Sequence, residues 1–355
     1  VSVVAGLEGR GTLVVIGAGG VGKTTTAAAL GLLLAEQGRR VCVLTIDPAR
    51  RLASALGLTD VGNEPVQATP ELPEFYAAML DPKRTFDDMI ARYASSPAQA
   101  EAIVANPVYH NLVTRLSGTQ EYMAFERLWE LRATGRFDVI VVDTPPAQAA
   151  IDFLHAPERL AGFLENRVFR FMLKPPPLYL RPLALATRAL VKQIASVVGA
   201  QVVDDTIEFF QAFQGIEDGF HARAQQTDQL LRSKDTAYLL VSTAEPQALA
   251  ASAHLVELLA GIGHRVDLTV LNRLTPDFAH LPSDPAADEA ARSGATILAK
   301  LRSEEVGRVR EWTGRVALDA VHLVDDLGET VASLEGLGAV ARALEGSLVL
   351  AGTGG

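Results

Sequence analysis

Gly17-Ala18-Gly19-Gly20-Val21-Gly22-Lys23-Thr24-Thr25 satisfies the pattern G-x-x-x-x-G-K-[ST] and has the flanks that the pattern requires. Upstream, Thr12-Leu13-Val14-Val15-Ile16 is a short apolar run rich in β-branched residues. Downstream, the alanine- and leucine-rich stretch from Thr24 to Gln37 reads as a helix stopped by Gly38. Strand, glycine loop and helix in that order form a phosphate-binding unit, and an ordinary glycine-rich turn would lack those neighbours. Glycines allow the backbone of Gly19, Gly20, Val21 and Gly22 to wrap a polyphosphate closely, with N–H groups pointing inward. Lys23 would neutralise the β- and γ-oxygens and the Thr24 hydroxyl would ligate Mg²⁺. Thr25 completes the nucleotide-holding stretch as the helix opens with its positive end toward the phosphates. The expected fold is α/β: a mostly parallel central sheet flanked by helices.

A chain of 355 residues is long enough for one large α/β domain or two small ones. The net charge of −10 and isoelectric point near 5.3 argue against a nucleic-acid partner, which needs a basic surface. One cysteine, Cys42, sits inside an apolar run, so neither a disulfide framework nor a thiolate metal site is expected, and no zinc. A reducing cytoplasm fits. No signal peptide is visible and no run of about 18 uncharged apolar residues occurs, so stable membrane insertion is not expected and any membrane role would be peripheral.

Val41 to Ile46 is a second apolar strand, one βαβ span from the first, so the two should be parallel. Asp47-Pro48 follows and carries two readings: an N-cap with proline at N1 opening a helix through Leu56, and an acidic residue at a strand's carboxyl end facing the phosphates. Asn63 to Pro73 reads as a loop and Phe75 to Leu80 as a further strand. Helical spacing then takes over, with Phe86, Met89, Ile90 and Tyr93 on one helix, a second from Pro97 to about Val104, and a third from Thr119 to Thr134. Phe137 to Asp143 returns to the sheet; four consecutive apolar residues ending in an acid suit a strand buried on both faces, with a metal-directed carboxylate at its tip. Asp143 is thus the partner of Thr24 at magnesium, and Thr144-Pro145-Pro146 leads into a loop that could sense the γ-phosphate. A second helical stretch fills about 155–233. Its apolar residues, Phe163, Phe169, Ile207, Phe213 and Phe220 among them, serve equally as core or as an exposed groove for an apolar partner. The expectation is one domain over 1–355 with helical insertions at about 81–135 and 155–233. Strands at Ala237 to Ser242 and Leu268 to Leu271 follow, then a loop at Thr275 to Asp288, a helix from Glu289 to about Trp312, a last strand from Val316 to Val324 and a closing helix from Leu334 to Leu344. Asn272 offers a donor and an acceptor that could pair with a nucleotide base, and it is also a common turn residue.

Taken together, GAGGVGKTT, TIDPAR at Thr45 to Arg50, GTQEYMAFERL at Gly118 to Leu128, VVDTPP at Val141 to Pro146 and Leu271-Asn272-Arg273 resemble the arsenite-pump and tail-anchored-protein-targeting ATPase family, of the deviant Walker A class. The similarity runs in order from about residue 12 to 344, and it looks like a single-half bacterial member. The resemblance implies that Asp47 positions or activates the attacking water beside the metal, that Lys23 and Thr24 hold phosphates and Mg²⁺, that Asp143 begins a second switch and that Asn272 reads adenine. It also implies an ATP-driven dimer whose helical insertions form a composite surface for a hydrophobic client.

Three departures qualify the resemblance. The family's signature lysine, which reaches across the dimer to the partner's nucleotide, falls here on Ala18, so slow hydrolysis is expected unless Arg50, Arg51 or a paralogous subunit supplies the cation. The cysteines that bind arsenite or zinc in the family are absent. The family's client groove is methionine-rich, whereas this chain has Met79, Met89, Met123 and Met172 alone. The leading expectation is a dimeric switch ATPase, homodimeric or paired with a paralogue. The alternative is a weakly hydrolysing regulatory subunit that depends on that paralogue. A partitioning ATPase would need a basic carboxyl-terminal helix, and Leu334 to Gly355 carries only Arg342; a reductase with a bridging cluster would need more than Cys42.

Overall fold

The computed structural model describes residues 2–47, 51–59, 61–115, 119–146, 200–278, 289–316, 318, 320–328, 331 and 333–351. Two compact units result, one of Val1–Leu80, Glu130–Ile151 and Arg232–Gly355, the other of Asp81–Trp129 and Asp152–Leu231.

In chain order a short 3-10 helix at Ala5–Leu7 precedes β1 (Thr12–Gly17), α1 (Lys23–Glu36), β2 (Val41–Thr45), α2 (Arg51–Leu56), β3 (Val66–Gln67) and β4 (Phe75–Met79). Helices α3 (Pro82–Tyr93), α4 (Pro97–Val104), α5 (Pro107–Arg115) and α6 (Thr119–Ala133) precede β5 (Val139–Asp143). After the described helices α7 (Ala200–Phe213) and α8 (Glu217–Arg232) come β6 (Thr236–Thr243), α9 (Pro246–Gly261), β7 (Leu268–Leu274), α10 (Glu289–Arg315), β8 (Ala320–Asp325), α11 (Leu334–Glu345) and β9 (Leu348–Ala351).

The first unit is built on one nine-stranded sheet in the order β3-β4-β2-β5-β1-β6-β7-β8-β9. Its inner strands pair in parallel, and only the edges β3 and β9 run antiparallel. Every residue of β1, β2, β5 and β6 is buried, as expected of strands covered on both faces. Helix α1 is apolar all round and correspondingly buried from Thr26 to Ala35 between the sheet and α11. A Cβ on its Gly31 would come within 2.5 Å of Val43 Cγ2, so the small residue sets how closely α1 lies on β2. Strand order reverses at β1, which places the crevice at the carboxyl ends of the strands beside the glycine loop.

The structure departs from the sequence expectation at four places. A two-residue strand, β3, lies inside the expected loop 63–73. Helix α5 was not foreseen; Pro107 opens it, and Asn106 Oδ1 accepts from the Val108 N–H at 2.8 Å. Helix α10 runs on to Arg315, so β8 starts at Ala320 rather than Val316. Finally α11 does not close the chain, since Leu348-Val349-Leu350-Ala351 returns as an antiparallel edge strand against β8. The helix expected after Asp47 is described from Arg51, with 48–50 outside the described residues, as are 279–288 of the expected loop.

In the second unit, Asp81 and Ser96 cap α3 and α4 by accepting from Arg84 N–H and Gln99 N–H, each with proline at the first helical position. Phe86 packs edge-on to Phe220 with ring centroids 5.7 Å apart, and Phe220 in turn to Phe213 at 5.4 Å. Phe213 and Phe220 are therefore core, as are Met89 and Met123, whereas Ile207 is 43% exposed. Residues 151–199, which hold most of the apolar positions weighed for a client groove, lie outside the described residues. Among the described residues no helix is long and apolar enough to cross a membrane.

Candidate functional site

The site grows from the turn between β1 and α1. Gly17, Gly20 and Gly22 have φ of 155°, 78° and 96°, so the loop runs through backbone conformations that residues bearing a Cβ avoid. At Gly17 a Cβ would fall 2.1 Å from the Val241 carbonyl oxygen of β6, and at Gly22 2.3 Å from Asn272 Nδ2. Two flanking strands therefore demand the glycines as well as the turn itself. Lys23, the first residue of α1, is buried, and its Nζ donates to the Ala18 carbonyl at 2.9 Å across the loop. Burial pulls the Lys23 ammonium below its ordinary pKa, against the opposing pull of Asp143 and Asp47.

Asp143 ends β5 next to both β1 and β2, in register with Val15 and Thr45. Thr45 Oγ1 donates to Asp143 Oδ2 at 2.9 Å, and the same hydroxyl accepts from the Asp47 N–H at 3.3 Å. Sequence reading passed over Thr45, although a hydroxyl at the carboxyl end of a strand beside two acids is the available signal. Asp143 is wholly buried, and burial raises its carboxyl to about 6 despite the lowering effects of Thr24, Thr45 and Lys23. Its Oδ1 has no hydrogen-bond partner among the described residues. Thr144 follows, its Oγ1 donating to the Val15 carbonyl at 2.7 Å and tying the exit of β5 to β1. Asp47 lies at the same sheet edge with its Oδ2 3.8 Å from Arg51 Nη1. Arg51 is thus engaged with Asp47, while Arg50 lies outside the described residues.

On the other side of the loop, Asn272 Nδ2 donates to the Val21 carbonyl at 3.0 Å and Arg273 Nη1 to the Gly20 carbonyl at 3.0 Å. These residues border a cavity of about 400 Å³ whose lining includes Thr25, Asp325, Asp326, Gly328 and Val340. Arg302 of α10 pairs with Asp325 at its rim. Asp325-Asp326 at the end of β8 escaped the sequence reading, though it follows the same rule that singled out Asp47 and Asp143. Arg273 was noticed there only as part of a motif.

The arrangement fits a nucleotide on three grounds. A loop whose Gly17 and Gly22 leave no room for a Cβ and whose Gly20 has a left-handed φ suits phosphates, a buried ammonium suits their charge, and the adjoining cavity beyond Thr25 suits a nucleoside. The orphaned Asp143 Oδ1 beside Thr24 fits a magnesium ion, which is held by one or two protein oxygens together with phosphates and water. Among the described residues no group of three or more His, Cys, Asp and Glu side chains could hold a metal by itself.

Comparison with known proteins follows the same lines. The sequence profile of the anion-transporting ATPase family matches residues 11–285. An uncharacterised protein of Streptomyces coelicolor is 29% identical over 89% of this chain and 72% of its own length. The arsenical pump-driving ATPase of Acidiphilium multivorum is 33% identical over 42% of this chain and 26% of its own length. The ATPase GET3 of Malassezia globosa is 31% identical over 41% of each chain. Three further bacterial relatives, 25 to 26% identical, are matched over 60 to 62% of their own length, so this chain spans about three fifths of them.

Proposed function

The chain belongs to the anion-transporting ATPase family, and from that premise we propose a switch ATPase that binds Mg²⁺-ATP at the β1–α1 loop, hydrolyses it slowly when alone, and works as a dimer to bind a hydrophobic client or partner. The observation that carries the nucleotide reading is the pair of under-compensated buried charges, Lys23 and Asp143, set beside the glycine cradle. Each charge is held in the interior at a cost that a ligand of opposite sign would relieve.

In this reading Gly19, Gly20, Val21, Gly22 and Thr25 hold phosphates through backbone N–H groups. Lys23 leaves the Ala18 carbonyl for the β- and γ-oxygens. Thr24, Asp143 and Asp47 would hold magnesium, directly or through water, and the ion would supply charge neutralisation at the phosphates. Asp47 orients the attacking water, and Thr45, bonded to Asp143 and to the Asp47 N–H, keeps the two acids in register. Asn272 faces the base from the cavity beyond Thr25.

A second reading, a regulatory subunit that hydrolyses little, is favoured by Ala18. Where a lysine would reach a partner's nucleotide there is a methyl group, and Arg51, one suggested substitute, is engaged with Asp47. Single-turnover hydrolysis by the purified chain, alone and with a lysine-bearing paralogue, separates the two. Measurable phosphate release by the chain alone supports the autonomous ATPase. Release that appears only with the paralogue supports the regulatory subunit. The client half of the reading is tested by co-purification with Asp47→Asn, which should trap the closed state with whatever it holds; recovery of the chain alone counts against it.

A further inference from the structure

Asn272 and Arg273 are consecutive residues of β7, and consecutive side chains of a regular strand leave opposite faces of the sheet. Here both reach the same loop, Asn272 Nδ2 on the Val21 carbonyl and Arg273 Nη1 on the Gly20 carbonyl. The backbone explains how. Arg273 has φ of 58°, the only positive value at a non-glycine among the described residues, and the pairing of β7 with β8 is irregular between Leu271 and Leu274. A left-handed residue bearing a Cβ is strained and persists only where its surroundings hold it, and a break in strand pairing is a common way to re-aim a side chain. What this bend delivers is a guanidinium on the outer side of the phosphate loop.

Its chemical effect follows from peptide geometry. In a trans peptide the C=O and N–H point to opposite sides. The Gly20 carbonyl belongs to the peptide whose N–H is that of Val21, and the Val21 carbonyl to the peptide whose N–H is that of Gly22. Donors bound to those carbonyls from outside therefore turn two successive N–H groups toward the inside of the loop. A cationic donor also polarises its peptide more strongly than a neutral amide does.

We propose that Arg273 is a positioning residue of the phosphate loop: by clamping the Gly20 carbonyl it fixes and strengthens the Val21 N–H as a donor to the polyphosphate of the nucleotide. The neighbouring Asn272 does the same, more weakly, for the Gly22 N–H. This assignment rests on the nucleotide-binding reading above and adds the device that keeps the loop in its binding conformation.

The test compares wild type with Arg273→Ala, Arg273→Lys and Arg273→Gly. Dissociation constants for Mg²⁺-ATP and for inorganic tripolyphosphate are measured by calorimetry, beside the melting temperature of the ligand-free proteins. Alanine should weaken both ligands about tenfold, the order expected for losing a charged hydrogen bond, and lysine should recover part of the loss. Glycine should bind as weakly as alanine yet melt at or above the wild-type temperature, because it is at ease at this φ. A purely structural role predicts the reverse, with affinity following the melting temperature and glycine binding like wild type. That result overturns the proposal, as does unchanged affinity for both ligands in the alanine and glycine variants. A wild-type chain that does not bind ATP overturns the nucleotide reading and this one with it.

Discussion

Each unit buries a cluster of charge, and the sequence treats the two clusters in opposite ways. In the helical unit, Glu126 is wholly buried between two arginines, Arg92 Nη1 at 2.9 Å and Arg223 Nε at 3.2 Å. Arg223 also lies over the Trp129 ring and donates to the Tyr93 hydroxyl at 2.9 Å. In the sheet unit, Lys23 donates to a backbone carbonyl and Asp143 accepts from the Thr45 hydroxyl, and neither has an ion-pair partner within 4 Å among the described residues. Charge that the chain answers from its own side chains is architecture. Charge that it buries and leaves under-answered is a receptor, and its destabilising effect marks where a ligand is expected.

The sharpest way to break this contrast is Lys23→Ala. Phosphate release at saturating Mg²⁺-ATP should fall by at least about 10²-fold, while the ligand-free melting temperature should hold or rise because a disfavoured buried ammonium has gone. A large drop in melting temperature would make Lys23 a structural residue and erase the distinction. Glu126→Ala should do the opposite, losing about 3–5 kcal/mol in chemical denaturation because two arginines are stranded. A loss below about 1 kcal/mol would show that the helical cluster is not the compensated one.

Asp143→Asn sharpens the comparison through pH. Burial raises the Asp143 carboxyl to about 6, above the ordinary 3.8. The metal-free protein should therefore lose stability as pH climbs from about 4 to 6 and stay at the lower level beyond. The asparagine variant escapes that loss, so it should be more stable than wild type above pH 6, by up to roughly 3 kcal/mol for two pKa units. The gain should vanish near pH 4, and a gain that ignores pH would assign it to packing instead. The smallest effect belongs to the exposed pair of Arg40 and Asp138, where the Arg40 hydrogen bond holds the Asp138 carboxyl down at about 2. A depressed carboxyl stabilises above its ordinary pKa and ceases to as pH falls toward 2. Asp138→Asn should lower the melting temperature at neutral pH by no more than about 2 °C, since a surface pair is screened by water.

The loop, its flanking strand and helix, and the placing of Asp47 and Asp143 at the carboxyl ends of strands were legible because each is a local pattern: glycines at fixed spacing, an apolar run ending in an acid. Thr45 and Arg273 were not, because their roles depend on neighbours far along the chain, Asp143 across a parallel pairing and Gly20 across a break in strand pairing. The same holds for β9, whose four apolar residues become a strand only because β8 offers an open edge. Helix α5 was missed for the opposite reason: its signal, Asn106-Pro107, was local but short, between stronger helices on either side. Asn272 was legible as either a base-facing or a turn residue, while its bond to the Val21 carbonyl, 251 residues away, was not; the cavity wall keeps the first reading open.

The central claim is that the under-answered charges of the sheet unit await a magnesium nucleotide. Calorimetric titration of the purified chain with ATP, with magnesium and with a chelator, tests it most directly. The account predicts saturable 1:1 binding per chain that weakens when magnesium is removed and weakens in Lys23→Ala. Absence of binding at millimolar ATP, or binding indifferent to both magnesium and Lys23, would contradict it.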